Sequence, residues 1–406
     1  MTATLKRPYS PDALARAFRR FIDGNPVIAS KFVENPGTGE FSWKPLTEKE
    51  LAERIALGEA ELGRIHELSA IHSEYYPTNE RLPFRILPVG PSTLIFGVNH
   101  VFTNGRGVIA WVGRFLEYYG RETGDPVAAV KTDSGKRPSL FHRILAAIVG
   151  VFWAIAYLIQ FTTRAGKRAA TETVELSHPI APPPCTSGFL VRTMQFTQEQ
   201  TERILSAARA RGLGVRELLA AHLAEVAMKL KPDKRRVLIS MPMDLRGELP
   251  HITPLFPGNY TGSLIIQAFR GLDIGRQIRE GSRWFKRRVP YWIGRIVGLS
   301  SPRKIYNLFS AGAAKPNSAR APLENFTFAL SNLGRIEHPV LEHYLEGMSG
   351  HTRTQTIFIG FGSFHGRLWL EASAARDLFP VEVVNGVLDQ VEHRLLACSE
   401  SRAAAG

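Results

Sequence analysis

Cysteine is almost missing from this chain. Only Cys185 and Cys398 occur among 406 residues. That excludes a disulfide framework and a cysteine-based zinc site, and it suits a reducing compartment. The opening residues 1–18 hold no apolar stretch suited to a secretory signal. Long hydrophobic runs are scarce as well. Ile144–Ile159 (ILAAIVGVFWAIAYLI) is sixteen residues without a charge, short of the roughly 20 that a helix needs to cross a bilayer. Arg143 and Arg164 flank it on both sides, so no positive-inside asymmetry orients it. Two readings stay open, a buried core helix and a helix dipping into one membrane leaflet. Common catalytic signatures are absent too. There is no Gly-x-Ser-x-Gly elbow, no Gly-x-x-x-x-Gly-Lys phosphate loop and no His-Glu-x-x-His pair. Gly360–Gly366 (GFGSFHG) has the wrong spacing for a dinucleotide fingerprint and precedes a strand. His351 and His365 read as surface loop residues, and no metal is implied.

Acid is missing from two segments. Ser134–Thr171 has no Asp or Glu but six bases: Lys136, Arg137, Arg143, Arg164, Lys167 and Arg168. Gly281–Leu323 again has no acid, with nine bases that include Arg283, Lys286, Arg287, Arg288 and Arg295. These segments carry +15 of a net charge of +14, so the rest of the chain sums to −1. A neutral body with two basic segments argues against a nucleic-acid-coating protein.

What is present is ordinary globular stock, 44% hydrophobic and 22% charged. At about 150 residues per domain, the length fits two domains or three. The Pro-rich stretch His178–Cys185 (HPIAPPPC) is the best linker. It divides an N-terminal domain, 1–177, from a C-terminal one, 186–406. Helices are expected over Ala13–Ile22, with Ser10 as cap, over Thr47–Gly63, with a Thr47/Glu50 capping box, and over Gly105–Tyr118. Pro83–Val101 reads as strand, broken at Pro88–Pro91. In the second half, strands are expected at Phe189–Phe196, Arg236–Met241 (ending at Pro242), Gly262–Ala268, Phe326–Ser331, Thr356–Phe361 and Leu368–Ser373. Helices are expected at Gln198–Arg211, Val215–Leu230, Asp273–Val289 and Val381–Ala397.

The segment that carries chemistry is Asn99-His100-Val-Phe-Thr-Asn104-Gly105. A histidine leaves a strand, a polar residue follows at +4, and a glycine at +5 permits a tight turn into a helix. This resembles the His-x-x-x-Asp-Gly motif of the superfamily that holds chloramphenicol acetyltransferase, the plant acyltransferases, nonribosomal-peptide condensation domains and wax ester/alcohol acyltransferases. Further segments are similar in the same order. Ala17–Phe32 looks like the family's opening helix, loop and first strand. Ser240-Met-Pro-Met-Asp244-Leu-Arg246, Gly258-Asn259-Tyr260 and Ser331-Asn332-Leu-Gly334 look like later strand ends. Gly366–Leu370 and Phe379–Leu396 look like the closing strand and helix. The resemblance implies an α/β (α+β) fold of two chloramphenicol-acetyltransferase-like domains. Each is a mixed sheet flanked by helices, with an active-site tunnel between them.

Acyl transfer from a thioester needs a base near neutrality to take the nucleophile's proton, and donors for the tetrahedral oxyanion. The resemblance assigns the first task to His100. The backbone N–H near Gly105 and the side chains of Ser331 or Asn332 are candidates for the second, although both side chains favour strand-end turns on their own account. Two positions depart from the motif. Asn99 stands where a first histidine often stands. Asn104 replaces an aspartate whose family role is structural, pairing with an arginine; it can bond but carries no charge. Arg246 is its candidate partner, with Asp244 compensating and Asn259 following. The lost charge leaves a second reading open: a slow or non-catalytic module that binds an acyl chain or carrier protein.

No permanent cofactor is expected; the cosubstrate would be an acyl-CoA or acyl-carrier-protein thioester, and the acceptor a lipophilic alcohol or amine. The basic segments have three readings: contacts to coenzyme A phosphates or an acidic carrier protein, an anionic membrane surface, or solvated faces without a partner. Apolar runs adjoin both, with Val289–Leu299 (VPYWIGRIVGL) in the second, which favours the membrane. A cytoplasmic protein, peripheral to the inner membrane face, is the resulting expectation.

Overall fold

In a computed structural model, the structure describes residues 1–34, 41–73, 80–100, 102–125, 127, 148–157, 159, 172–176, 188–244, 261–286, 289, 326–352 and 356–400. The chain begins β1 (Thr2–Leu5), α1 (Pro11–Asp23), β2 (Ser30–Glu34), β3 (Phe41–Pro45), α2 (Glu48–Leu62), α3 (Leu68–Ser73). It continues β4 (Phe84–Gly90), β5 (Thr93–Val98), α4 (Gly105–Thr123) and a helical stretch at 148–157, here α5. Then come β6 (Phe189–Gln195), α6 (Gln198–Ala210), α7 (Val215–Leu230), β7 (Arg236–Asp244), β8 (Thr261–Phe269) and α8 (Ile274–Lys286). The last elements are β9 (Phe328–Arg335), α9 (Pro339–Tyr344), β10 (Leu345–Ser349), β11 (Phe358–Phe364), β12 (Arg367–Ala375) and α10 (Val381–Glu400).

The expected mixed α/β architecture is present, with sheets flanked by helices. Two compact units form. Unit 1 holds Met1–Lys136, Leu249–Tyr260 and Arg335–Gly350; unit 2 holds Arg137–Glu248, Thr261–Gly334 and His351–Gly406. The chain thus leaves unit 1 and returns to it. The proline-rich linker at 178–185 lies outside the described residues.

Unit 1 is built on a four-stranded sheet in the order β10-β1-β5-β4. Thr2 pairs with Ser349 on one side and Ile95 on the other. β4 and β5 form a hairpin whose register shifts between Pro88 and Gly90; the expected break is this bulge and the turn after it. Caps set the helix starts. Oγ of Ser10 accepts from Ala13 N at 3.3 Å, and the Thr47/Glu50 capping box is formed. The core is aromatic: Phe21 lies 4.9 Å from Phe84 and edge-on to Phe115 at 5.6 Å, and Phe96 lies 5.8 Å from Phe115, between ring centroids. Phe21, Phe84, Phe96 and Phe115 are fully buried, and this joins α1 and α4 to the sheet. Gly113 has to be glycine, because a Cβ there would stand 2.5 Å from the His338 ring.

Unit 2 carries a six-stranded sheet in the order β6-β12-β11-β9-β7-β8. β7 runs parallel to β9 and antiparallel to β8. Its core takes the buried faces of α6, α7 and α10. β7 does not stop at Pro242 but continues to Asp244. β9 pairs with β7 only at Ile239↔Phe328 and Ser240↔Ala329. Pro242 lies opposite Ser263 of β8, beyond the last residue of β7 that pairs with β9, the kind of edge position that tolerates a residue without an N–H. His351 also corrects its expectation as a surface loop residue. It is partly buried, and its ring bonds to the carboxylate of Glu371, which is buried in β12 between β11 and β6. A buried carboxylate needs such a partner. His365 is exposed, in the two-residue β11–β12 turn at φ 48°, followed by Gly366 at φ 73°.

The apolar run does not form a helix enclosed on every side. In α5, Ala154 and Tyr157 are buried, while Ile148, Val149, Val151, Phe152 and Ile155 are exposed, as is Ile159 just beyond. Tyr157 fixes its inner face: the hydroxyl donates to Ile265 O at 2.9 Å and accepts from Ile265 N at 3.0 Å. Burial pushes this phenol's pKa up to about 12. Among the described residues, no helix is long and apolar enough to cross a membrane.

Candidate functional site

The chemistry-bearing segment folds as a strand, a turn and a helix, all in unit 1. β5 ends at Val98. Asn99 follows, its N–H donating to Pro83 O at 2.9 Å, and its carbonyl accepts from Phe102 N at 2.9 Å and Thr103 N at 3.2 Å. Asn99 therefore ties the turn from its backbone at both ends. His100 stands in that turn. Behind it the loop is driven into the core. Phe102 is fully buried, 5.5 Å from Trp43 and 5.4 Å from Trp111. Thr103 and Asn104 are buried as well.

Asn104 is the N-cap of α4. Its backbone is extended, and its Oδ1 accepts from Gly107 N at 3.1 Å. Asparagine is among the best residues for this position, because its oxygen meets an N–H that the helix leaves open. Gly105 is the first residue of α4. The N-terminal end of a helix carries partial positive charge, so the turn that holds His100 lies directly before that end.

His100 is exposed to solvent, yet loss of hydration to the surrounding protein lowers its pKa below the ordinary 6.5. A hydrogen bond to its own backbone carbonyl acts in the opposite direction and favours the charged form. Burial is the larger of the two effects, so the balance favours the uncharged ring.

Asn99, His100, Asn104 and Gly105 are brought together in this one turn. Ser331 and Asn332 lie in unit 2, on β9. Ser331 is partly exposed and Asn332 exposed. Oδ1 of Asn332 accepts from Gly334 N at 2.7 Å, a local turn bond. Asp244 is the last residue of β7 and lies opposite Thr261 of β8. Arg246 and Asn259 lie outside the described residues, and so does the expected Asn104–Arg246 contact. The sequence reading passed over Phe102 and Thr103, the buried pair that fixes the loop; a phenylalanine amid polar loop residues was the available signal. Among the described residues, no group of three or more His, Cys, Asp or Glu is placed to hold a metal.

No protein-family profile matches the chain, and no curated protein matches it by sequence. Solved structures do match by fold. Polyketide synthase associated protein 5 from Mycobacterium tuberculosis superposes with a TM-score of 0.62 at 16% identity, over 99% of this chain and 94% of that one. The epimerization domain from the third module of tyrocidine synthetase B gives 0.60 at 13% identity, over 99% and 91%. The starter condensation domain of rhizomide synthetase, in complex with C8-CoA, gives 0.59 at 12% identity, over 98% and 88%. The chain is therefore similar in fold to condensation and epimerization domains, as its motifs implied.

Proposed function

We propose that this protein moves a lipophilic acyl group from a coenzyme A or carrier-protein thioester to a hydroxyl or amine acceptor, with His100 as general base. The observation that carries the reading is the turn that sets His100 directly before the N-terminus of α4, in a fold shared with condensation domains. In this reaction the His100 imidazole takes the acceptor's proton as the oxygen or nitrogen attacks the thioester carbonyl. The tetrahedral oxyanion is met by N–H groups at the start of α4. The C–S bond then breaks, and the imidazolium returns the proton to the leaving thiolate. No covalent enzyme intermediate is needed.

The experiment supplies octanoyl-CoA, the chain length found with the starter condensation domain, and follows free thiol release against an added long-chain alcohol. His100→Ala should reduce alcohol-dependent release by about 10²–10⁴-fold with an unchanged melting temperature. Unchanged turnover rejects the reading. The pH profile is a second readout. Burial disfavours the protonated ring, so the neutral base persists on acidification, and the acid limb of kcat/KM should fall below 6.5. A limb above that value contradicts the assignment.

A second reading rests on Asn104, which brings no carboxylate to the loop and spends its oxygen on its own helix. In that reading the chain binds an acyl thioester without turning it over. Thioester binding with no acceptor-dependent thiol release would support it.

A further inference from the structure

We propose that the outward face of α5 docks this protein on an anionic lipid bilayer. The inference goes beyond acyl transfer and does not depend on His100. Ile148, Phe152, Ile155 and Ile159 are 64%, 63%, 50% and 58% exposed. At 100° per residue they fall within one narrow stripe, with Val151 at its margin. The opposite side, Ala154 and Tyr157, is buried. A surface helix ordinarily turns polar side chains to water. Here no outward side chain is polar, and contiguous exposed apolar surface marks an interaction site.

Charge chooses among the occupants. α5 lies within the first acid-free segment, Ser134–Thr171, with Arg143 and Arg164 five residues beyond Ile148 and Ile159 in sequence. The structure also joins it to the second. Trp284, near the start of the acid-free Gly281–Leu323, packs edge-on against Trp153 at 6.1 Å and Tyr157 at 5.7 Å. Arg283 beside it is exposed. The helix that carries the apolar stripe thus belongs to one acid-free segment and packs on the start of the other, and the two sequences together carry +15. Apolar residues among bases are what an interfacial helix presents to acidic headgroups. A second copy of the chain would bring a like charge to the same place, which opposes self-association. An acidic carrier protein would find no donor on the stripe to pair with its carboxylates.

Flotation of the full chain tests this. The vesicles are equal parts phosphatidylcholine and phosphatidylglycerol, with phosphatidylcholine alone as control. The protein should float with the anionic vesicles at low salt and less in high salt. Phe152→Glu with Ile155→Glu should cut partitioning by more than about tenfold at an unchanged melting temperature. If that pair melts early, Ile148→Gln on the same stripe carries the test. The proposal is overturned if the wild type stays free of anionic vesicles at low salt, or if the folded variants float equally well. It is also overturned if the substitutions split a dimer, or abolish capture of an acyl carrier protein, with no vesicle binding in the wild type.

Discussion

Helices α4 and α5 draw on similar apolar residues and point them in opposite directions. α4 buries Ile109, Trp111, Val112, Phe115, Leu116 and Tyr119 and keeps Arg106 and Arg121 exposed. α5 has no polar residue to offer water, so once Ala154 and Tyr157 pack inward, the outward side has to be apolar. Polar residues, not hydrophobic ones, tell which way a helix faces. In α4 their spacing fixes the orientation, and the helix becomes the support on which the His100 turn is built. α5 has no such spacing, and only its contacts orient it.

Substitutions can break this contrast or sharpen it, read by urea denaturation. Phe115→Ala should show the largest effect, about 3–5 kcal/mol, because the ring is fully buried among Phe21, Phe84 and Phe96. Asn104→Ala should cost about 1 kcal/mol for the lost cap on α4. Asn104→Asp should recover that loss, since a carboxylate caps as well and suits the positive helix end; no recovery would mean that the amide's role is not capping. Phe152→Ala should be the mildest, within about 0.5 kcal/mol, because the side chain is 63% exposed. If Phe152→Ala costs as much as Phe115→Ala, the outward orientation of α5 is wrong.

Local chemistry was readable and distant pairing was not. Ser10, Thr47 and Thr197 each cap their helix; the Ser10 and Thr47 caps followed from residue type and spacing alone, because a cap involves neighbours three residues apart. The strand, turn and helix around His100 were legible for the same reason. β1 and β10 are four and five residues long, too short to show a period, and β10 pairs with β1 alone. Pro242 looked like a strand end because a proline's tolerance depends on whether a neighbouring strand is still there. His351 looked like a surface residue because nothing near it in sequence reveals a buried Glu371. The electrostatics of His100 likewise come from surroundings that no motif records.

The pairing of Thr2 with Ser349 has a consequence for how the chain is made. A ribosome delivers β1 early and β10 only after most of unit 2 has emerged. Until then β1 has β5 on one side and an unpaired edge on the other, the kind of edge that recruits other chains. Contacts so far apart in sequence also form slowly. A nascent chain therefore carries an open strand through most of its synthesis, and a chaperone that shields it should raise the yield of folded protein. For the same reason, any fragment that stops before Leu345 takes the His100 turn with it but leaves behind the strand that closes its sheet.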